Sequence, residues 1–407
     1  MAATLEDLRP LSDQQQAMLE FMGGTRDTFY LEIESFILQG DLSLRRFRQA
    51  LDTVACRHEV LRSVVVADSG SYRVLPYETS TVDHLLTIRR DIHDINDALR
   101  TGREYVGRQM ELDREFPLRV WLALTKPGQS ALVIGGHHLV FDGWSWRNLY
   151  HELEQAYIDP DSLPPPKQYH ETAISGAVRE LTLDAELFQR PYQGVRALQG
   201  RAKTPVGPAG SVQVRRGPGL AAALVRECGA RAATPYTLAV TSFLISLGNA
   251  LGDPEAIVGT ASIGRSTGAE LRALGYFSNT IFVGTGGGTH GEVMRGVQEQ
   301  LANWRTSPRV QWEKILREYS GQDLYPIRFG FGRAGNVGLE ARFADIATVR
   351  ATDAASDEVA RRVAVISGAF DDAGVTLTGE FRVDAVTEEW MRGLLEQCLT
   401  VLAEMCA

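Results

Sequence analysis

With 407 residues, of which 44% are hydrophobic and 23% charged, the chain is a globular protein with room for about two or three domains of roughly 150 residues each. That composition excludes a disordered, fibrous or small disulfide-stapled chain, and the net charge of -9 argues against a nucleic-acid surface. Cys56, Cys228, Cys398 and Cys406 are scattered without a CxxC pair, no apolar run reaches about 18 residues, and the N-terminus lacks a signal pattern. The expectation is a cytoplasmic protein with no membrane span, no zinc site and no disulfide framework.

Leu31 to Ile37 mostly alternates apolar with polar, as a half-buried strand does, with its acids expected to face water. Ser43 is placed to cap a helix whose Leu44, Phe47, Leu51, Val54 and Ala55 form one apolar stripe. Arg57 to Ser63 then runs into Val64-Val65-Val66, read as a strand beside the first. Leu118 to Leu124 and Ala131 to Ile134 flank Pro127-Gly128, which predicts a hairpin. Beyond it, Trp146, Leu149, Tyr150, Leu153 and Tyr157 have helical spacing. Pro160, Pro164, Pro165 and Pro166 break that pattern and predict a semi-rigid connection. The expected division is an N-terminal lobe at 1–158, a linker at 159–168 and a C-terminal lobe at 169–407, with the two lobes able to rock.

In the second half, Thr234 before Pro235 and Gly252 after Leu251 bracket a helix that is apolar nearly all round. Glu255 to Ala261, Ile281 to Val283, Tyr325 to Gly330, Arg362 to Ala369 and Val375 to Val383 read as strands. Thr289 and Glu292 have capping-box spacing, a further helix is expected around Trp312, and a helix from Met391 to Met405 closes the chain. Gly284 to Gly288 is followed by no lysine, so it is read as a turn rather than a phosphate cradle.

One stretch concentrates chemistry. His137-His138-Leu139-Val140-Phe141-Asp142-Gly143 follows the apolar run Ala131 to Ile134 and precedes a helix beginning near Ser145. Adjacent side chains on an extended segment point to opposite faces, so one histidine is expected to react and the other to support it. The same divergence argues against His137, His138 and Asp142 gathering around a metal. Asp142 can cap the helix or pair with a cation, and Gly143 lets the backbone approach a ligand.

His137 to Gly143 fits HHxxxDG, Arg57 to Ser63 fits RHExLR followed by Ser or Thr, and Gly275 to Thr280 fits GxFxNT. Ser12 to Gln15 fits an opening SxxQ, and Gly264-Arg265 follows a strand. By these motifs the chain resembles the condensation domains of nonribosomal peptide synthetases, in the chloramphenicol-acetyltransferase-like superfamily. It departs at Tyr169 to Ala173, which half resembles YxDYAxW, and at Val310 to Lys314, a weak match to a motif near the second-lobe helices.

The resemblance implies an α/β fold of two similar lobes in a V around a central tunnel. It implies that His138 either removes a proton from an attacking amine or hydroxyl, or positions that group, as it meets a thioester carbonyl. Gly143 would offer its N–H to the oxyanion, while Asp142 would bridge to Arg265 from the opposite lobe. His137 and Asn279 would support the site, and Trp144 and Ser145 would line the channel. The reading is a free-standing amide- or ester-forming enzyme that binds no cofactor or metal itself. An acyl or peptidyl carrier protein would present the phosphopantetheine thioester in trans, and the acceptor would be a small molecule or carrier-bound. A CoA-dependent acyltransferase and a non-catalytic docking module are the alternatives.

Overall fold

The computed structural model describes residues 8–22, 24–27, 30–66, 71–75, 81–173, 187, 190–204, 207–306, 326–334, 343, 346–351, 359–360 and 362–407. The chain divides into two units, the first comprising residues 1–177, 263–278 and 338–352, the second residues 178–262, 279–337 and 353–407. This differs from the division expected at residues 159–168, because two later segments return to the first unit. The proline segment is held by hydrogen bonds as well. Arg57 donates to the carbonyls of Leu163 and Pro164, and Gln168 donates to the Arg57 carbonyl at 2.8 Å, so the segment is fastened to the first unit.

In the first unit, α1 (Asp13–Met22) precedes β1 (Leu31–Gln39), and Ser43 caps α2 (Leu44–Arg57) by accepting from Arg46 N at 3.4 Å. After β2 (Leu86–Arg89) and α3 (Ile95–Val106) comes the expected hairpin, β3 (Leu118–Lys126) and β4 (Gln129–His137), with Gly128 in the left-handed region at φ 71. α4 (Gly143–Ile158) and α5 (Tyr169–Ala173) follow. The main sheet among the described residues runs Ala347–Arg350, β1, β4, β3, β2.

This sheet is covered on both faces, and one of the two acids of β1, Glu34, does not face water as expected, whereas the Glu32 side chain is 39% exposed. Phe36 and Leu38 pack with residues of α2 and α4 while Ile37 packs against a cluster that includes Ala98 and Leu99 of α3, and Glu34, on the face of Phe36, is 8% exposed. Arg350 binds its carboxylate, and burial, only partly offset by Arg350, raises the Glu34 pKa. Ser63–Val66 does not neighbour β1. It pairs with Ser71–Val74 in a separate sheet, since both edges of β1 are taken by β4 and Ala347–Arg350.

The second unit has its own core. β5 (Gly207–Arg216) and α6 (Pro218–Ala230) lead to α7 (Pro235–Leu251), capped by Thr234 Oγ1, which accepts from Thr237 N at 3.1 Å, and ended by Gly252 at φ 65. Next come β6 (Glu255–Ser262), β7 (Asn279–Gly286), α8 (His290–Thr306), β8 (Ile327–Arg333), β9 (Ala364–Asp371), β10 (Gly374–Arg382) and α9 (Glu388–Met405). The sheet order is β7, β6, β8, β9, β10, β5 and the short strand Val359–Ala360 among the described residues. β7 continues through Gly286, so only the end of the glycine run, Gly287 and Gly288, has positive φ. The helix expected around Trp312 and the motif at 310–314 lie outside the described residues. Among the described residues no helix is long and apolar enough to cross a membrane.

Candidate active site

The site forms where β4 ends. Leu31 opposes His137 across the antiparallel ladder, and His138 N donates to the Tyr30 carbonyl at 2.7 Å, which carries pairing one residue further. Val140 N and Phe141 N then both donate to the His137 carbonyl at 3.0 and 3.1 Å, and the chain turns into α4.

Alternation separates the two histidines. His137 is fully buried, and its Nδ1 accepts from Leu139 N at 3.1 Å. The His138 side chain keeps 24% exposure. Its Nδ1 donates to the Phe141 carbonyl, so in the neutral ring the lone pair is on Nε2. The Tyr30 and Tyr276 rings flank it, with centroids at 6.2 and 4.9 Å.

Asp142 both caps and pairs. Its Oδ1 accepts from Ser145 N at 2.7 Å and Arg265 Nη2 at 2.9 Å, and its Oδ2 from Phe277 N at 3.0 Å and Ser278 N at 3.2 Å. Arg265 Nη1 reaches the carbonyls of Glu270 and Ala273, and its guanidinium lies 4.1 Å over the Phe277 ring. Burial pulls the Arg265 pKa down despite the opposing pull of Asp142. Arg265 was expected from the opposite lobe, but its segment, 263–278, belongs to the first unit. Two glycines permit this packing. Gly264 sits at φ 62, where a Cβ would fall 1.7 Å from the Phe277 carbonyl oxygen, and a Cβ on Gly275 would fall 2.0 Å from the Tyr169 ring.

The other motifs brace the same loop. Ser12 N donates to Gln15 Oε1 at 3.0 Å, Gln15 Nε2 donates to the Leu139 carbonyl at 2.9 Å, and Ser12 Oγ lies 2.8 Å from the Tyr169 hydroxyl. That hydroxyl donates to the Tyr276 carbonyl at 2.7 Å. His58 Nε2 and Arg57 Nε meet Glu152 Oε2 at 2.8 and 3.1 Å, tying α2 to α4. Burial raises the Glu152 pKa, but His58 and Arg57 outweigh it and hold the carboxyl below its ordinary value.

Trp144 Nε1 donates to the Leu271 carbonyl at 2.7 Å. Ser145, expected to line a channel, is fully buried: its Oγ donates to the Gly275 carbonyl at 2.7 Å and accepts from Gly275 N at 3.0 Å. Its place at the third position of a helix capped by Asp142 turns it inward, so it holds the site together. Gly143 is exposed at the first position of α4, with open space where a Cβ would be. Asn279 begins β7 in the second unit, buried and in register with Ser262. Among the described residues no three His, Cys, Asp or Glu side chains gather as a metal site would need.

Sequence reasoning missed Glu32. Its Oε2 accepts from Trp146 Nε1, and its Oε1 stands 3.9 Å from His138 Nδ1. The signal was available in the spacing, since Glu32 and Glu34 share strand parity with the core residues Phe36 and Leu38.

The sequence matches the family described as Condensation domain over residues 6–323. It is 35% identical over 176 residues to the "Probable non-canonical nonribosomal peptide synthetase (NRPS) CymA" of Salinispora arenicola, covering 40% of this chain and 2% of that protein. It is 29% identical over 283 residues to the isonitrile lipopeptide synthase of Mycobacterium tuberculosis, covering 60% of this chain and 11% of that protein. The chain thus spans a small part of the length of these relatives. In fold it is similar to the X-domain from teicoplanin biosynthesis, with a TM-score of 0.74 at 19% identity over 100% of this chain and 96% of that one.

Proposed function

The chain belongs to the condensation-domain family, and from that premise we propose that it joins an acyl or aminoacyl group to an acceptor amine or hydroxyl, forming an amide or ester in natural-product biosynthesis. The donor is a thioester on the phosphopantetheine arm of a carrier protein. The observation that carries this reading is the His138 ring, whose Nδ1 is engaged by the Phe141 carbonyl while the side chain keeps 24% exposure. Nε2 is then the nitrogen that meets the acceptor's N–H or O–H. As the acceptor attacks, the new C–N or C–O bond forms, the C–S bond breaks, and the acceptor's proton ends on the departing thiol. Proton removal by His138 is typically worth about 10² to 10⁴ in rate, and because a thioester is already activated, holding the nucleophile in place can contribute comparably.

The remaining roles follow from position. The first N–H groups of a helix lack intrahelical acceptors and carry its positive end, so Gly143 at the start of α4 suits the developing oxyanion. The carboxylate of Asp142 is filled by donors, so its work is to fix the loop, together with Arg265 and the buried Ser145.

A donor competition tests this. Carrier-bound acyl thioester and the matching acyl-CoA are offered together with a panel of amines and alcohols, and products are read by mass spectrometry. Consumption of the carrier-bound donor is expected, and preference for acyl-CoA would contradict it. The second reading, a docking module, draws on the X-domain, which has been solved in complex with OxyB. Carrier binding without transfer from either donor would favour it.

A further inference from the structure

Glu32 is held toward His138 by neighbours that leave it little choice. In the β1–β4 register it stands opposite Gly136, where a Cβ would fall 2.9 Å from Trp146 Cζ2 and 2.7 Å from Phe141 Cδ2. The missing side chain admits the Trp146 indole, whose N–H takes Glu32 Oε2. Oε1 is left 3.9 Å from His138 Nδ1. Glu32 and His138 are diagonal neighbours on one face of the ladder, within reach for a long side chain.

From this arrangement we propose that Glu32 is a positioning residue that stabilises the protonated form of His138. Its part in catalysis rests on the reading of His138 given above. When Nε2 takes a proton, the ring becomes an imidazolium whose Nδ1–H remains on the Phe141 carbonyl, and the Glu32 carboxylate offers the nearby negative charge. Among the described residues, the other groups around the ring bring no such charge: Tyr30 and Tyr276 present aromatic faces, and Asp142, at the start of α4, is neutralised by Arg265. Because Glu32 is itself 39% exposed, water screens it and the effect is modest.

Glu32→Gln keeps an oxygen for the indole and removes only the charge. The test follows the His138 imidazole by NMR in the full chain without substrate, alongside the pH dependence of single-turnover transfer. In the Gln variant a smaller fraction of His138 is expected to be protonated at a given pH than in wild type. The acid limb of the transfer rate should move to lower pH in step. Glu32→Asp, which retains a carboxylate, should fall nearer to wild type than Gln does. An unchanged titration in the Gln variant, or equal displacement in Gln and Asp, would overturn the proposal and leave Glu32 a partner for Trp146 alone. Moved titration without transfer by wild type would instead sink the proposed function, so the two failures are distinguishable.

Discussion

Arg265 in the first unit and Arg382 in the second are both buried, and the two are used differently. Arg265 and Asp142 are 0% and 1% exposed, whereas Arg382 is 1% exposed but its partner Asp384 is 38% exposed. The first pair joins residues 123 apart in sequence, the second residues two apart. Burial lowers the Arg265 pKa, while the hydrogen bond to Asp384 raises that of Arg382. A local pair with a wet partner can close a strand end. A dry pair spanning the sequence can fix a loop whose shape chemistry depends on, because the groups around it supply the hydrogen bonds that water would otherwise make.

The largest effect should come from breaking the dry pair. Asp142→Ala leaves Arg265 buried without its counter-ion and should lose about 3–5 kcal/mol of stability in urea unfolding, together with acyl transfer. Combining it with Arg265→Met should recover part of that loss, since the stranded charge is then gone. Gly275→Ala probes the same packing without touching charge. Its Cβ would meet the Tyr169 ring, and overpacking of this kind should lose about 1–3 kcal/mol by thermal or urea unfolding.

Glu152 comes next. Its folded pKa is depressed, so it contributes stability above the ordinary glutamate value of about 4.3 that disappears as pH falls through the lower folded value. Glu152→Gln should therefore be less stable than wild type at pH 7 and show less of the acid-side decline when urea midpoints are compared across pH. Asp384→Ala should matter least, at most about 1 kcal/mol, because water already reaches that carboxylate and can replace it. A loss at Asp384 as large as that at Asp142 would erase the contrast between the two arginines.

What the sequence made legible were features carried by neighbours in the chain. Asp142 as a cap, Thr234-Pro235 and Gly252 around α7, and the hairpin at Gly128 are local chemistry, and each stands where its residues predict. The family too was readable, because its motifs are short contiguous runs. Harder to read was what those runs touch. That 263–278 returns to the first unit, that Ser145 is sealed inside, and that Glu32 turns inward toward Trp146 all depend on long-range packing. Leu31 to Ile37 mostly alternates apolar with polar, yet Ile33 is 38% exposed while Phe36 and Leu38, on the other face, are fully buried. A strand covered on both faces gives no simple alternation.

The role proposed for His138 is chemistry on a scaffold that Asp142 and Arg265 hold. It is tested most directly by single-turnover discharge of a carrier-bound acyl thioester, comparing wild type with His138→Ala at equal concentrations of folded protein. The variant is expected to fold normally and to transfer at least about 10²-fold more slowly. Equal rates with carrier binding intact would contradict it.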